Sequence, residues 1–360
     1  MVKKVFAKLI GYVHILLSIF YLLKAKYSQK AHIQNIYILC AHGAGDYLMA
    51  TSAIKAIGKI HQQKEVFIIF TRSEAYLLAQ LNSIHKSHNL VMLDDVVRES
   101  HQVDLLICLS GPSRDTLKLI NRVKPKKIIG FIFSFMIISS FTKSTVTNYL
   151  FENHVKRNDE VVKKLSAKPD GKIHFELANT HILNLGHTAK IGLYFPYIKK
   201  QKTLPRSVLV EFAQFLVASV RYEKVCLFNY QGETDDFKDL ASRIVGQPDT
   251  FSNFSWESYS DWEGLLKILF SLDKVVCTDS VVFHLCNALE IPVVGIFGPT
   301  NPNNYVPHDF KGEIVTYNVG PKYCYYGVGH NKCIKNGCAD RCDFMSQILK
   351  VDLEAAILSK

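Results

Sequence analysis

Acidic residues are scarce in this chain of 360 residues: Asp and Glu number 32 against 43 Lys and Arg, leaving a net charge of +11. An excess of that size suits an anionic partner, whether nucleic acid, a membrane surface or a phosphorylated substrate, and equally suits plain solubility. There is no arginine-rich run and no nucleic-acid-binding signature, which ranks nucleic acid last of the three. A Walker loop and the dinucleotide fingerprint are both missing, so the two commonest phosphate-binding motifs are excluded. No apolar run reaches the ~20 residues that a spanning helix needs. Internal repeats and low-complexity tracts are absent too. What the chain does have is apolar content of 48%, enough to bury real cores. Its length suits two domains.

Nine cysteines fall into two groups. Cys40, Cys108, Cys226, Cys277 and Cys286 stand in or beside apolar runs and read as small buried hydrophobes. Cys324, Cys333, Cys338 and Cys342 crowd into one polar stretch with the spacing C-x8-C-x4-C-x3-C. Four thiolates suit a tetrahedral structural zinc site, yet no CxxC knuckle is present, and free thiols or a disulfide remain open. Nothing else resembles a secreted disulfide scaffold, which favours a reducing compartment.

The segment 1–30 is apolar and basic. Leu9 to Leu23 is a mostly apolar run interrupted by His14, with Lys3, Lys4 and Lys8 before it and Lys24 and Lys26 after it. No small-x-small cleavage site follows. Two readings stand: a helix lying on an anionic membrane surface with its lysines on lipid phosphates, or an ordinary helix packed on its domain.

From residue 31 onward short apolar strands alternate with helical stretches, the pattern of an α/β fold built on parallel, doubly wound sheets. Strands are expected at Ile36–Cys40, Val66–Phe70, Leu90–Leu93, Leu105–Leu109 and Lys127–Phe131, then at Lys190–Phe195, Lys224–Asn229, Lys274–Thr278 and Pro292–Phe297. Helices are expected at Tyr47–His61, Arg72–Ser83, Tyr149–Leu165, Pro205–Val220, Thr234–Val245, Trp262–Phe270 and Val281–Leu289. The stretch Ile128–Phe141 is unusually apolar. The expected domains are 31–185 and 186–344, with a last helix in 345–360 packing back on the body.

Two strand-turn-helix sites carry the chemistry. In the first, Asn35–Cys40 runs into His42-Gly43-Ala44-Gly45-Asp46. Gly43 and Gly45 permit a tight turn and close ligand approach. Asp46 sits where strand becomes helix, as a helix cap or as a general base. In the second, Val275-Val276-Cys277-Thr278-Asp279-Ser280-Val281 runs into a helix carrying His284, followed by Phe297-Gly298-Pro299-Thr300. Thr278, Asp279, Ser280 and the N–H groups at that helix start suit a pyrophosphate, and His284 lies one turn on, facing the same side. The competing reading makes Asp279 and Ser280 mere caps and packs His284 in the first turn. Lys199 and Lys202 follow a strand and either meet negative charge or form a solvated loop; Glu233 either accepts from sugar hydroxyls or caps the next helix.

These residues together resemble glycosyltransferase family 9, the ADP-heptose:lipopolysaccharide heptosyltransferases. Gly43-Ala44-Gly45-Asp46 and its apolar helix resemble the family's first motif. Asp279-Ser280, His284, Ala288, Pro292 and Phe297-Gly298-Pro299-Thr300-Asn301-Pro302 resemble its hallmark. The late cysteines look like the family's as well. Val281 departs from the family's glycine, and of a Lys-x-Trp-Pro stretch only Lys202-Thr203-Leu204-Pro205 remains.

The resemblance implies a GT-B fold: two Rossmann-like domains facing a central cleft, with the acceptor on the first and the nucleotide-sugar on the second. It implies an inverting transfer of heptose or a related sugar from ADP-heptose to the lipopolysaccharide core, with no cofactor for catalysis, at the cytoplasmic face of a bacterial inner membrane. The chain has no Asp-x-Asp, in keeping with a metal-independent reaction. The implied partners are a nucleotide-sugar donor, a lipopolysaccharide or lipid A-core acceptor and an anionic membrane surface, and no nucleic acid. Asp46 matches the family's base and Glu233 a family carboxylate that binds the donor's nucleoside; a lysine near Lys199 or Lys202, and Thr278, Asp279, Ser280, Val281 and His284, would make up the rest of the donor side. Two other readings are a non-catalytic relative that binds nucleotide-sugar or lipopolysaccharide, motivated by Val281, and a dinucleotide oxidoreductase, suggested by the sheet pattern alone.

Overall fold

A computed structural model describes residues 33–40, 43–99, 102–109, 114–130, 153–177, 189–196, 202–219, 221–231, 234–245, 252–298, 300–316 and 345–358. The chain divides into two compact units, Met1–Ala178 and Asn179–Lys360.

In the first unit the strands are β1 (Asn35–Cys40), β2 (Glu65–Phe70), β3 (Asn89–Met92), β4 (Leu105–Cys108) and β5 (Lys127–Gly130). They pair in the order β3-β2-β1-β4-β5, every pair parallel. β1 from Ile36 onward and all of β4 are buried because these stretches are continuous apolar runs, as parallel strands covered on both faces require. The helices are α1 (Ala44–Leu48), α2 (Thr51–Ile60), α3 (Ser73–Leu81), α4 (Leu93–Arg98), α5 (Arg114–Val123) and α6 (His154–Lys163). One helix was expected over Tyr47–His61; the chain instead turns at Met49-Ala50 and makes two. Thr51 Oγ1 donates to the Leu48 carbonyl at 2.7 Å across that break.

The second unit holds β6 (Lys190–Tyr194), β7 (Lys224–Tyr230), β8 (Phe254–Tyr259), β9 (Lys274–Thr278), β10 (Val293–Phe297) and β11 (Glu313–Thr316). Their order is β11-β10-β9-β6-β7-β8, again all parallel. The helices are α7 (Arg206–Ala218), α8 (Thr234–Val245), α9 (Trp262–Phe270), α10 (Val281–Ala288), α11 (Pro302–Tyr305) and α12 (Lys350–Leu358). Pro205 was expected in the first turn of its helix and stands instead at the cap, where its carbonyl accepts from Leu209 N–H at 3.1 Å. In α12, Leu353 and Ile357 are buried one turn apart and join the core formed with α7 and β11. The five cysteines outside the late group are buried and free, as their apolar surroundings foretold.

Both units are doubly wound, and strand order fixes where a ligand fits. In each sheet the first strand in sequence lies in the middle, and the chain winds outward first to one side and then to the other. The crossover helices diverge at that point and leave a crevice at the carboxyl ends of the two flanking strands. Those strands are β1 and β4 in the first unit, β6 and β9 in the second. Asp46 follows β1 and the Thr278-Asp279-Ser280 turn ends β9, so both motifs lie beside a switch point of their own sheet.

Candidate active site

In the second unit β9 delivers Thr278 to the carboxyl edge and α10 begins three residues later at Val281. Asp279 does not cap that helix. Its side chain is only 6% exposed and is gripped by Lys202, whose Nζ donates to the carboxylate and, at 3.2 Å, to the Asp279 carbonyl oxygen. Thr300 Oγ1, from the turn after β10, donates to the same carboxylate at 2.6 Å. Burial works to raise the carboxyl pKa, but Lys202 and Thr300 outweigh it and hold the group below the ordinary Asp range. Asp279 is therefore an anion whose charge is already met within the protein, and it ties together the segment before α7, the β9 edge and the turn after β10.

Around that clamp the polar atoms fare differently. Ser280 is the residue before α10, yet its side chain makes no capping bond. Among the described residues, Thr278 Oγ1, Ser280 Oγ and His284 Nδ1 are all buried with no hydrogen-bond partner. A buried polar group without a partner costs ~1–3 kcal/mol, so three around one helix start require an explanation, and a polar ligand is the simplest. His284 is fully packed; burial pushes its pKa down to about 4, so the ring is neutral near pH 7. Phe283 beside it meets Phe297 and Phe310 with centroids 5.3 and 5.2 Å away, and a Cβ on Gly295 would come within 2.5 Å of its ring. That packing fixes the rotation of α10 and with it the direction of His284 and Ser280.

In the first unit Gly43 is followed by a helix of one turn, with Asp46 as its third residue. Asp46 Oδ2 accepts from the Gly43 N–H at 3.3 Å, so the carboxylate does cap its helix, but from inside the first turn. The side chain is still 39% exposed. A Cβ built on Gly43 would meet nothing within 4 Å, so open space lies beside the turn. Tyr47 anchors the helix from below: its hydroxyl lies 2.7 Å from His85 Nε2 and accepts from Asn82 Nδ2 at 3.0 Å. Burial pushes His85 down to about 3 and keeps it neutral inside this network. His154, the first residue of α6, places Nδ1 3.8 Å from Asp46 Oδ1.

The structure thus brings Lys202, Thr278, Asp279, Ser280, Val281 and His284 together at one sheet edge of the second unit, and Gly43, Gly45 and Asp46 at one edge of the first. Lys199, Glu233 and the group Cys324, Cys333, Cys338 and Cys342 lie outside the described residues, as do the segment 1–30 and the apolar stretch after residue 130. Among the described residues no cluster of three or more His, Cys, Asp or Glu suits a metal ion. No helix there is long and apolar enough to cross a membrane. Sequence reasoning missed His154 and the part played by Thr300. Thr300 lies within the Phe-Gly-Pro-Thr turn and was findable; His154 carried no local signal.

Residues 261–334 match the model of Glycosyltransferase family 9 (heptosyltransferase). The matched segment runs from α9 through β11 to the start of the cysteine stretch, and includes Asp279, Thr300 and the unpartnered atoms but not Lys202. No curated protein matches the chain significantly. Among solved structures, a glycosyl transferase family 9 protein from Veillonella parvula is 14% identical, with a TM-score of 0.63 over 90% of this chain and 95% of its own. Escherichia coli heptosyltransferase WaaC with ADP-2-deoxy-2-fluoro heptose is 16% identical, with a TM-score of 0.58 over 86% and 100%. The iron-containing dodecameric glycosyltransferase TibC from enterotoxigenic E. coli is 12% identical, with a TM-score of 0.58 over 91% and 77%. These likenesses establish the GT-B class of fold, two doubly wound α/β units. Family segment and fold together support a glycosyltransferase of the heptosyltransferase kind.

Proposed function

We propose that the chain is an inverting, metal-independent glycosyltransferase that moves heptose or a related sugar from ADP-heptose to the lipopolysaccharide core. The observation that carries the reading is the trio of buried, unpartnered polar atoms at Thr278, Ser280 and His284. They surround a helix start at the switch point of the second sheet, inside the segment that matches family 9. A diphosphate supplies acceptor oxygens for such donors, and the dipole of α10 favours its charge. The presence of ADP-2-deoxy-2-fluoro heptose in the WaaC structure supports an ADP-linked sugar as the donor.

In this reading Asp46 Oδ takes the proton of the acceptor hydroxyl as that oxygen attacks the anomeric carbon. The new C–O bond forms while the bond from that carbon to the phosphate oxygen breaks, and its electron pair leaves with the nucleoside diphosphate. A positioned base contributes ~10²–10⁴-fold to such a step. The growing charge on the leaving group is met by the α10 N-terminus, by Ser280 and Thr278, and by Lys199 and Lys202. Lys202 has three N–H donors; the carboxylate and carbonyl of Asp279 take two and leave one for phosphate. Asp279 keeps this lysine in place, and because the pair is neutral overall Lys202 acts on the phosphate through its remaining N–H. Glu233, just beyond β7, would accept from the nucleoside's hydroxyls.

The four late cysteines offer soft thiolate ligands, which suit structural zinc and suit iron, and the structural neighbour TibC is iron-containing. No step of the transfer runs through them. The basic, apolar segment 1–30 would hold the protein at the inner face of a bacterial inner membrane, near its lipid A-core acceptor; deletion through Gln34 should move it from the membrane to the soluble fraction.

A donor screen with deep-rough lipopolysaccharide and mass-spectrometric readout tests the activity. Addition of one heptose mass is the expected result; no addition from any nucleotide-sugar would refute it. A second reading, a binding relative without turnover, rests on Val281 as the first residue of α10, where a Cβ narrows the approach of the pyrophosphate. Donor binding without product formation would favour that reading.

A further inference from the structure

We propose that His154 is a positioning residue for the carboxylate of Asp46; the inference rests on the reading of Asp46 as the base. A base must present one oxygen to the acceptor in one orientation, and an Asp side chain that is 39% exposed has rotamers to spare. In this structure both carboxylate oxygens are addressed. Oδ2 accepts from the Gly43 N–H at 3.3 Å, and Oδ1 faces His154 Nδ1 at 3.8 Å. The hydrogen bond from the Gly43 N–H ties Oδ2, and the His154 ring nitrogen flanks Oδ1.

The placement of His154 is built rather than incidental. Its side chain is only 8% exposed, although it points at a solvent-facing group. It opens α6, whose start is fixed by Asn153: the Asn153 Oδ1 accepts from the N–H groups of Val155 and Lys156 at 3.1 and 3.4 Å. Further along, α6 is fastened to the chain just beyond Asp46. Asn158 Nδ2 donates to the Met49 carbonyl at 3.1 Å, and Ser52 Oγ donates to Asp159 Oδ2 at 3.2 Å. These contacts are buried and polar, so sliding α6 would leave donors and acceptors unpaired, a costly displacement. The break between α1 and α2, at Met49-Ala50, is where this fastening attaches. One helix therefore grips the segment carrying the base and points a ring nitrogen at the base itself.

The test is transfer kinetics with wild type, Asp46→Ala, His154→Ala, His154→Gln, His154→Phe and the double variant Asp46→Ala/His154→Ala, with donor affinity measured alongside. A misplaced catalytic group costs on the order of 10²-fold, and His154→Ala should lose turnover on that scale with donor affinity within about twofold of wild type. His154→Gln, whose amide can still reach the carboxylate, should recover part of the loss. The double variant should be no slower than Asp46→Ala alone, because a positioning residue has nothing left to position. Should His154→Ala fail to fold, His154→Phe fills the space without a ring nitrogen and should be slower than His154→Gln. His154→Ala turning over within twofold of wild type, or losses that add in the double variant, would overturn the proposal while Asp46→Ala remains inactive. If Asp46→Ala itself turns over normally, the base assignment fails first and takes this inference with it.

Discussion

Asp46 and Asp279 stand at matching places in two sheets of the same winding, each beside a switch point and each next to a helix start. Their environments are opposite. Asp279 is buried at 6% exposure, and its charge is consumed by Lys202 and Thr300. Asp46 is 39% exposed, with a backbone N–H on one oxygen and a histidine facing the other. The difference arises from a few residues of register. Asp279 lies before the helix, on the last turn out of the strand, and points down among its neighbours; Asp46 lies inside the first helical turn and points out. One carboxylate fastens its sheet edge together, and the other is the base of the proposed reaction.

Replacement separates the two. Asp46→Ala should lower transfer ~10²–10⁴-fold with donor affinity and melting temperature little changed; steady-state kinetics with calorimetry of donor binding reads all three. Asp279→Ala should instead act on the fold, leaving Lys202 and Thr300 facing a missing partner at a cost of ~3 kcal/mol, read by denaturant unfolding. Equal stability losses in the two variants would erase the contrast.

A third carboxylate sharpens the comparison. Asp104 precedes β4, at the end of the first sheet opposite Asp46. It accepts from the N–H groups of Gln34 and Asn35 at 2.9 and 3.1 Å and pairs with Lys126 at 2.6 Å. Burial opposes ionisation, but Lys126 and the two N–H groups overcome it and bring the pKa down to about 2. Because the folded value lies below the unfolded one of ~4, its contribution is complete above pH ~4 and is lost as the pH falls from there towards 2. Asp104→Asn should flatten that part of the acid-unfolding curve.

The end of α10 gives the smallest effect. Glu290 takes φ 57° in a helix-terminating turn, with Ile291 N–H bonded to the Cys286 carbonyl at 2.9 Å. Glu290→Gly should raise stability by about 1 kcal/mol, measurable by thermal unfolding, without altering the donor side of the same helix.

How much of this was legible in the sequence depended on the range of the interaction. The strand at Lys274–Thr278 and its turn were readable because an unbroken apolar run stops at Thr-Asp-Ser, and the helix period starts at once. β8 and β11 went unread: they are edge strands, and Phe254-Ser255-Trp256-Glu257-Ser258-Tyr259 mixes polar with apolar because one face meets solvent. The break at Met49-Ala50 was hidden since the apolar period runs straight across it; contacts from α6 hold the chain there. Lys202 was assigned to a ligand from its position after a strand, but its bond to Asp279 joins residues far apart in sequence. The same distance hid His154 from Asp46. Local grammar announced the two turns; the pairings made across the chain, Lys202 with Asp279 and His154 with Asp46, lay beyond it.

The unpartnered atoms of the second unit admit the most direct test. Ser280→Ala removes a buried hydroxyl that has no internal partner, so it should leave the unliganded protein as stable or up to ~1 kcal/mol more stable, while weakening ADP binding roughly tenfold. His284→Ala should weaken ADP on the same scale. Calorimetric titration of ADP into wild type and these two variants, with thermal unfolding of each, decides the matter. Loss of affinity without loss of stability in Ser280→Ala is the predicted result; unchanged ADP affinity, or no ADP binding by the wild-type protein, would contradict the account.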